Sequence, residues 1–288
     1  MTTVLHVGLP KTGTTMLQRH VFPALDGVEV HVDRGAANDP IMRRLIAAEK
    51  EEDRGTIPPA RGPRLISREN FTFPRKTDVA AAPGRLRALI GAARIVIAVR
   101  RQADWLESMY FQDQSVAKTR RRGLMETPRD WLARALAGPI LGQTRFAALA
   151  DRWADAFGAE NVALVPFEQL RRDPAAFFAP FAAPLGRDPQ AFVRAYAAAP
   201  ATNARLEASE FFAGLATSDL RRRAPVTFRM MRMAGRSLGA DWEPFGMPAR
   251  FDFAPLVPPG IARDWAEQNA EVARRFGLPL GDLGYAVA

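Results

Sequence analysis

The chain of 288 residues is 48% apolar, enough to bury one sizeable α/β core, and its lack of cysteine excludes disulfides and thiolate-held zinc. Forty Lys and Arg against 31 Asp and Glu leave a formal net charge of +9, the kind of balance that attracts polyanions. Nearly all of it is arginine in an Ala- and Pro-rich sequence, and no zinc finger, aromatic RNA-stacking motif or basic heptad accompanies it, so nucleic acid is not the expected partner. The three scattered histidines, His6, His20 and His31, suggest no metal site, and a metal-free mechanism is expected. No apolar run approaches the roughly 18 residues of a membrane span, and no basic-then-apolar leader precedes Val4, so the expected location is the cytoplasm.

In chain order, the hydrophobic pattern predicts a strand over about 3–8, a helix over 14–23, a short strand over 28–32 and a helix over 38–52. A polar, Pro-rich loop (53–63), a strand (64–68), a helix (83–91), a strand (94–99) and a helix from about 102 follow. Residues 128–158 read as two helices anchored by Trp131, Phe146, Trp153 and Phe157, and 161–167 as a further strand. From Asp173 onward the pattern is helical and irregular. Strands alternating with helices imply a three-layer α/β/α fold around a central parallel sheet. No linker splits the chain, so a single domain over 1–288 is expected, with an α/β core in 1–175 and a mainly helical region in 176–288.

The most informative stretch is Val4–Thr15, VLHVGLPKTGTT: an apolar strand, a loop with Gly8, Pro10 and Gly13, and then Thr14 and Thr15 opening a helix. Such a loop aims backbone N–H groups and the positive end of a helix dipole at one point, a cradle for phosphate, to which Lys11 adds a full charge. In a nucleotide triphosphate loop Lys follows the second Gly directly; here Thr14 follows Gly13 and the lysine comes early, at Lys11. A kinase also needs an acidic residue ending a neighbouring strand to help hold Mg²⁺, whereas RIVIAV (94–99) ends in Arg100 and Arg101. The residues therefore favour an anion met by Lys and Arg. Lys11, Glu69 and Arg100 would all emerge at the carboxyl ends of parallel strands, where open α/β sheets bind ligands.

PKTGTT after a first strand resembles the 5′-phosphosulfate loop of sulfotransferases that use 3′-phosphoadenosine 5′-phosphosulfate (PAPS). Arg100, followed eight residues later by Ser108, is similar to that family's 3′-phosphate motif, and VALVPFEQLRRDP (162–174) to its late strand and acidic turn. The likeness runs to about residue 175, with a looser match around Asn269. It implies a P-loop-like fold and a bacterial, PAPS-dependent enzyme transferring a sulfuryl group to a hydroxyl or amine of a carbohydrate or other small-molecule or glycan acceptor. By that resemblance Pro10, Lys11, Thr12, Gly13, Thr14 and Thr15 hold the 5′ side of the nucleotide and Arg100 and Ser108 its 3′-phosphate, with Lys11 also steadying the charge that builds on the leaving phosphate. Glu69, in ISRENFTF, resembles the catalytic base of the Golgi heparan-type enzymes; Asp33, His20 and, least, His6 compete for that role. A small-molecule kinase and a non-catalytic nucleotide-binding protein are the alternatives. Two arginine clusters, Arg120–Arg122 and Arg221–Arg223, are read as facing solvent.

Overall fold

A computed structural model of the chain describes residues 2–33, 36–49, 56–72, 79–120, 126–200 and 252–288. Five strands, β1 (Thr3–His6), β2 (Glu29–Val32), β3 (Arg64–Ser67), β4 (Arg94–Val99) and β5 (Val162–Pro166), form an all-parallel sheet in the order β2–β3–β1–β4–β5. The three central strands are buried almost throughout, and the longest of them, β4 (RIVIAV), reads as a near-continuous apolar run, as strands covered on both faces do. Leu5 stands opposite Ile66 on one side and Ile95 on the other. The expected parallel sheet is present, and its strands start and stop within two residues of the sequence-based bounds.

The helices are α1 (Thr14–Met16), α2 (Pro40–Glu49), α3 (Ala82–Ile90), α4 (Gln102–Arg120), α5 (Pro128–Leu136), α6 (Ile140–Thr144), α7 (Phe146–Phe157), α8 (Gln169–Arg172), α9 (Pro174–Ala182), α10 (Pro189–Ala197) and α11 (Pro259–Phe276). A π-helical turn (Leu17–Val21) and a 3₁₀ turn (Phe22–Ala24) carry the chain on from α1. Residues 128–158 form three helices rather than the expected two. Gly138 and Pro139 end α5, and Thr144 ends α6 at a fixed corner. Its hydroxyl accepts the Trp265 indole N–H at 2.8 Å, and its carbonyl accepts from Gln102 at 3.2 Å.

Alternate residues of the sheet (Val4, Leu65, Val96, Ala98, Val165) face a core filled by Leu17, Phe22, Phe177, Phe178, Phe181 and Phe192. Helix α9 survives an internal Pro180, which costs about 3 kcal/mol, because burying its three phenylalanines contributes about 1.5–3 kcal/mol each. Helix α7 packs on β4 and β5 with Trp153 and Phe157 buried.

The chain divides into two compact units, one of Met1–Gln102, Ile140–Ala201 and Pro259–Ala288, the other of Ala103–Pro139 and Thr202–Pro258. In the second, Trp131 packs edge-on against both Tyr110 and Phe253, which are tilted to each other, with centroids 5.6–6.0 Å apart, and the Trp131 indole donates to Asp113 at 3.1 Å. Thr127 caps α5 by accepting from the Asp130 N–H at 3.2 Å. The arginine clusters lie outside the described residues and side chains. Among the described residues no helix is long and apolar enough to cross a membrane.

Candidate active site

Strands β2 and β3 lie on one side of β1, and β4 and β5 on the other, so the topology reverses beside β1. That is where an open parallel sheet leaves a crevice beyond its carboxyl ends. Three adjacent strands deliver the segments that fill it: β1 the Gly8–Gly13 loop, β3 the Glu69 turn and β4 Arg100.

The loop is fastened before it turns. Past the end of β1, Val7 and Leu9 donate to the carbonyls of Val96 and Ala98 at 3.0 and 2.9 Å. The Thr12 hydroxyl, fully buried, donates back to the Leu9 carbonyl at 2.6 Å and lies 3.5 Å from the Thr14 hydroxyl. Gly13 is left-handed at φ +80°, and Lys11 also sits there, at φ +67°. Lys11 has the only positive φ among the described residues that are not glycine. Left-handed residues alternating with others are the backbone pattern from which anion nests are built, and here that pattern leads straight into α1.

The predicted residues of this unit come together in part. Arg100 Nη1 donates to the Lys11 carbonyl at 3.3 Å, which joins the loop to the end of β4. Glu69, half-buried, opens a 3₁₀ turn (Glu69–Phe71), and Thr72 links that turn to the loop by donating to the carbonyls of Glu69 (3.0 Å) and Gly8 (3.4 Å). Pro10 is buried, Thr14 is buried and Thr15 half-buried at the mouth of α1. Ser108 lies on α4 in the other unit and is half-buried there.

The rival bases fare differently. Asp33, just past β2, is ion-paired to the buried Arg68. His20 lies half-exposed in the π-helical turn. His6 is fully buried: Nδ1 lies 2.8 Å from the Ser67 hydroxyl, and the ring packs edge-on against Phe22 and Phe181. Burial lowers its pKa to about 3, so the imidazole is neutral. Gln18 completes this link by donating to the Ser67 carbonyl at 3.0 Å and hydroxyl at 3.1 Å, tying the helical stretch after the loop to the strand that ends before Glu69.

Sequence reasoning missed Phe167 and Glu168, although both lie in the quoted VPFEQLRRDP. The Phe167 ring lies 5.5 Å under the Arg100 guanidinium, and a Cβ added at Gly13 would come within 2.9 Å of it. Gly13 is thus required twice, by its backbone and by its neighbour. Glu168 accepts from the Arg101 backbone N–H at 3.2 Å and from the Tyr285 hydroxyl at 2.5 Å. The available signal was position: a bulky aromatic and a carboxylate directly past a strand's carboxyl end. The groups gathered here, a glycine loop carrying Lys11 with Arg100 bonded to its backbone, are of the kind that suits phosphate or sulfate oxygens. Among the described residues no group of His, Asp or Glu could hold a metal ion.

The chain matches the family model described as sulfotransferase domain over residues 1–188. Among solved structures it is similar to a sulfotransferase from Alicyclobacillus acidocaldarius, with 20% identity and a TM-score of 0.46, over 79% of this chain and 96% of that one. It is also similar to mouse sulfotransferase SULT7A1 complexed with PAP, with 16% identity and a TM-score of 0.40, over 95% of this chain and 85% of that one. No curated protein matches.

Proposed function

The chain belongs to the sulfotransferase domain family and is a PAPS-dependent sulfotransferase, and on that premise we propose that it sulfates a hydroxyl of a carbohydrate or other small metabolite, with Glu69 as base. The observation that carries the site assignment is Lys11 in a left-handed conformation inside the glycine loop, its carbonyl held by Arg100. A mere turn would use Gly or Asn there, since the conformation costs a lysine about 1–2 kcal/mol.

PAPS supplies a sulfuryl group on a phosphate leaving group, and by analogy with phosphoryl transfer its transition state is loose, with charge building on that phosphate. In our reading the backbone from Pro10 through Thr12 and Gly13 and the hydroxyls of Thr14 and Thr15 hold the 5′-phosphate. Lys11 meets the developing charge, a donor of the kind worth about 3–4 kcal/mol in a preorganised site. Arg100 and Ser108 take the 3′-phosphate through charge-assisted bonds. Glu69 accepts the proton of the acceptor hydroxyl. The link from its turn through Thr72 to Gly8 supports this role, as does the commitment of Asp33 to Arg68. We read residues 1–288 as one sulfotransferase domain in function, with the nucleotide on 1–175 and the acceptor side in 176–288.

The test of this reading is turnover. Conversion of PAPS to 3′-phosphoadenosine 5′-phosphate (PAP) should depend on an added hydroxyl acceptor, found by screening sugars and small alcohols. Glu69→Gln keeps the shape but cannot take the proton, so transfer should fall roughly 10²- to 10⁴-fold with PAP affinity within a few fold. Full activity in Glu69→Gln would move the base to another residue.

A further inference from the structure

We infer that residues 284–286 form a clasp behind the corner where β4 enters α4, and that Tyr285 is a positioning residue for the 3′-phosphate of PAPS. The inference rests on the proposed role of Arg100. That corner, Arg100–Arg101–Gln102, is gripped residue by residue. Arg100 lies over the Phe167 ring. Arg101 gives its N–H to Glu168 at 3.2 Å, with its Nε 3.7 Å from the same carboxylate. Gln102 exchanges hydrogen bonds of 2.8 and 3.3 Å with Asn269, which is fully buried on α11.

Both anchors are held in turn by the same short stretch of chain. The Tyr285 hydroxyl donates to Glu168 at 2.5 Å, and Asn269 donates to the Ala286 carbonyl at 2.8 Å. Gly284, at φ +81°, approaches so closely that a Cβ there would meet Arg101 Nη1 at 2.9 Å. Tyr285 is itself 4% exposed. Burial and the neighbouring Glu168 push its phenol well above the ordinary value, which keeps it a donor, while Arg101 and Arg100 pull in the opposite direction.

The physical consequence is electrostatic. Glu168 is a mostly buried carboxylate with the Arg101 Nε 3.7 Å away, and such a carboxylate seeks a donor for every oxygen. The Tyr285 O–H satisfies one oxygen without charge. Remove it, and Glu168 draws on the Arg101 guanidinium instead, pulling on the corner that sets Arg100 and setting an unmet negative charge against the 3′-phosphate. The clasp therefore acts on nucleotide binding and only where a 3′-phosphate is present.

Titration calorimetry on the full chain with PAP and with adenosine 5′-monophosphate, which lacks the 3′-phosphate, tests this. Tyr285→Phe, which keeps the ring, should raise the Kd for PAP about tenfold and leave that for the monophosphate within twofold. Adding Glu168→Gln to Tyr285→Phe removes the competing charge and should restore most of the PAP affinity. Equal weakening of both nucleotides means general damage and overturns the inference, as do an unchanged Kd for PAP or a double variant no tighter than the single. A folded parent that binds the two nucleotides equally would instead remove the 3′-phosphate role of Arg100 itself.

Discussion

His6 and Lys11 lie five residues apart, and each departs from what its residue type prefers. Lys11 is held left-handed at a cost of about 1–2 kcal/mol, tolerated because Arg100, Leu9 and Thr12 fix the loop around it. His6 is buried neutral against phenylalanines, and its Nε2 has no hydrogen-bond partner among the described residues. A Cβ at Gly8 would lie 2.6 Å from that nitrogen, so the loop can begin there only with glycine. The burial of His6 has a thermodynamic signature. Its folded-state pKa is about 3 against an ordinary 6.5, so below pH 6.5 the unfolded chain binds a proton that the folded chain refuses. Stability should therefore fall as pH drops from 6.5 toward 3, by up to about 1.4 kcal/mol per pH unit from this group. Urea melts of the parent and His6→Gln between pH 7 and 5 isolate it: the parent should lose stability more steeply, and parallel slopes would refute a neutral buried His6.

At the scale of elements, the strand, loop and helix opening at Val4 can be read from sequence because every signal is local: apolar run, glycine spacing, threonines at a helix start. What the elements do to one another is not local. The loop is held by β4 through Ala98 and by the Glu69 turn through Thr72, contacts across 64 and more residues of chain. The three helices where two were expected show the same thing, since Thr144 is fixed by Trp265, 121 residues away. The division of labour proposed for the β1 loop and the end of β4 gives a kinetic prediction. Lys11→Ala should lower kcat roughly 10²- to 10³-fold with PAP affinity within a few fold, because its bond strengthens only as charge develops. Arg100→Ala should weaken PAP binding about 10- to 100-fold with kcat at saturating PAPS nearly kept, because its contact exists equally before and during transfer. Steady-state kinetics beside PAP titration on both variants decide it, and the opposite pattern would exchange the two roles.

Across the whole molecule, the proposed nucleotide site joins the ends of β1 and β4, segments far apart in the chain, so nucleotide binding should stabilise the fold. At about 100 times its Kd, PAP should add about 2.7 kcal/mol, a rise of several degrees in Tm. ATP with Mg²⁺ should add much less, because β4 is followed by Arg100 and Arg101 where a kinase would want a carboxylate. Equal shifts in a thermal melt would contradict the donor assignment. By itself the sequence determined the parallel α/β class, the strand–glycine loop–helix segment with Lys11 inside it, and the candidates Glu69 and Arg100, since periodicity and glycine spacing are written within a dozen residues. Only the tertiary structure decided that Asp33 is bound to Arg68, that His6 is sealed in the core, and that Phe167, Glu168 and Tyr285 brace Arg100 and Arg101. Those outcomes depend on burial and on partners more than a hundred residues apart in several cases, and one strand of sequence carries no trace of which distant side chain will remove a given group from water.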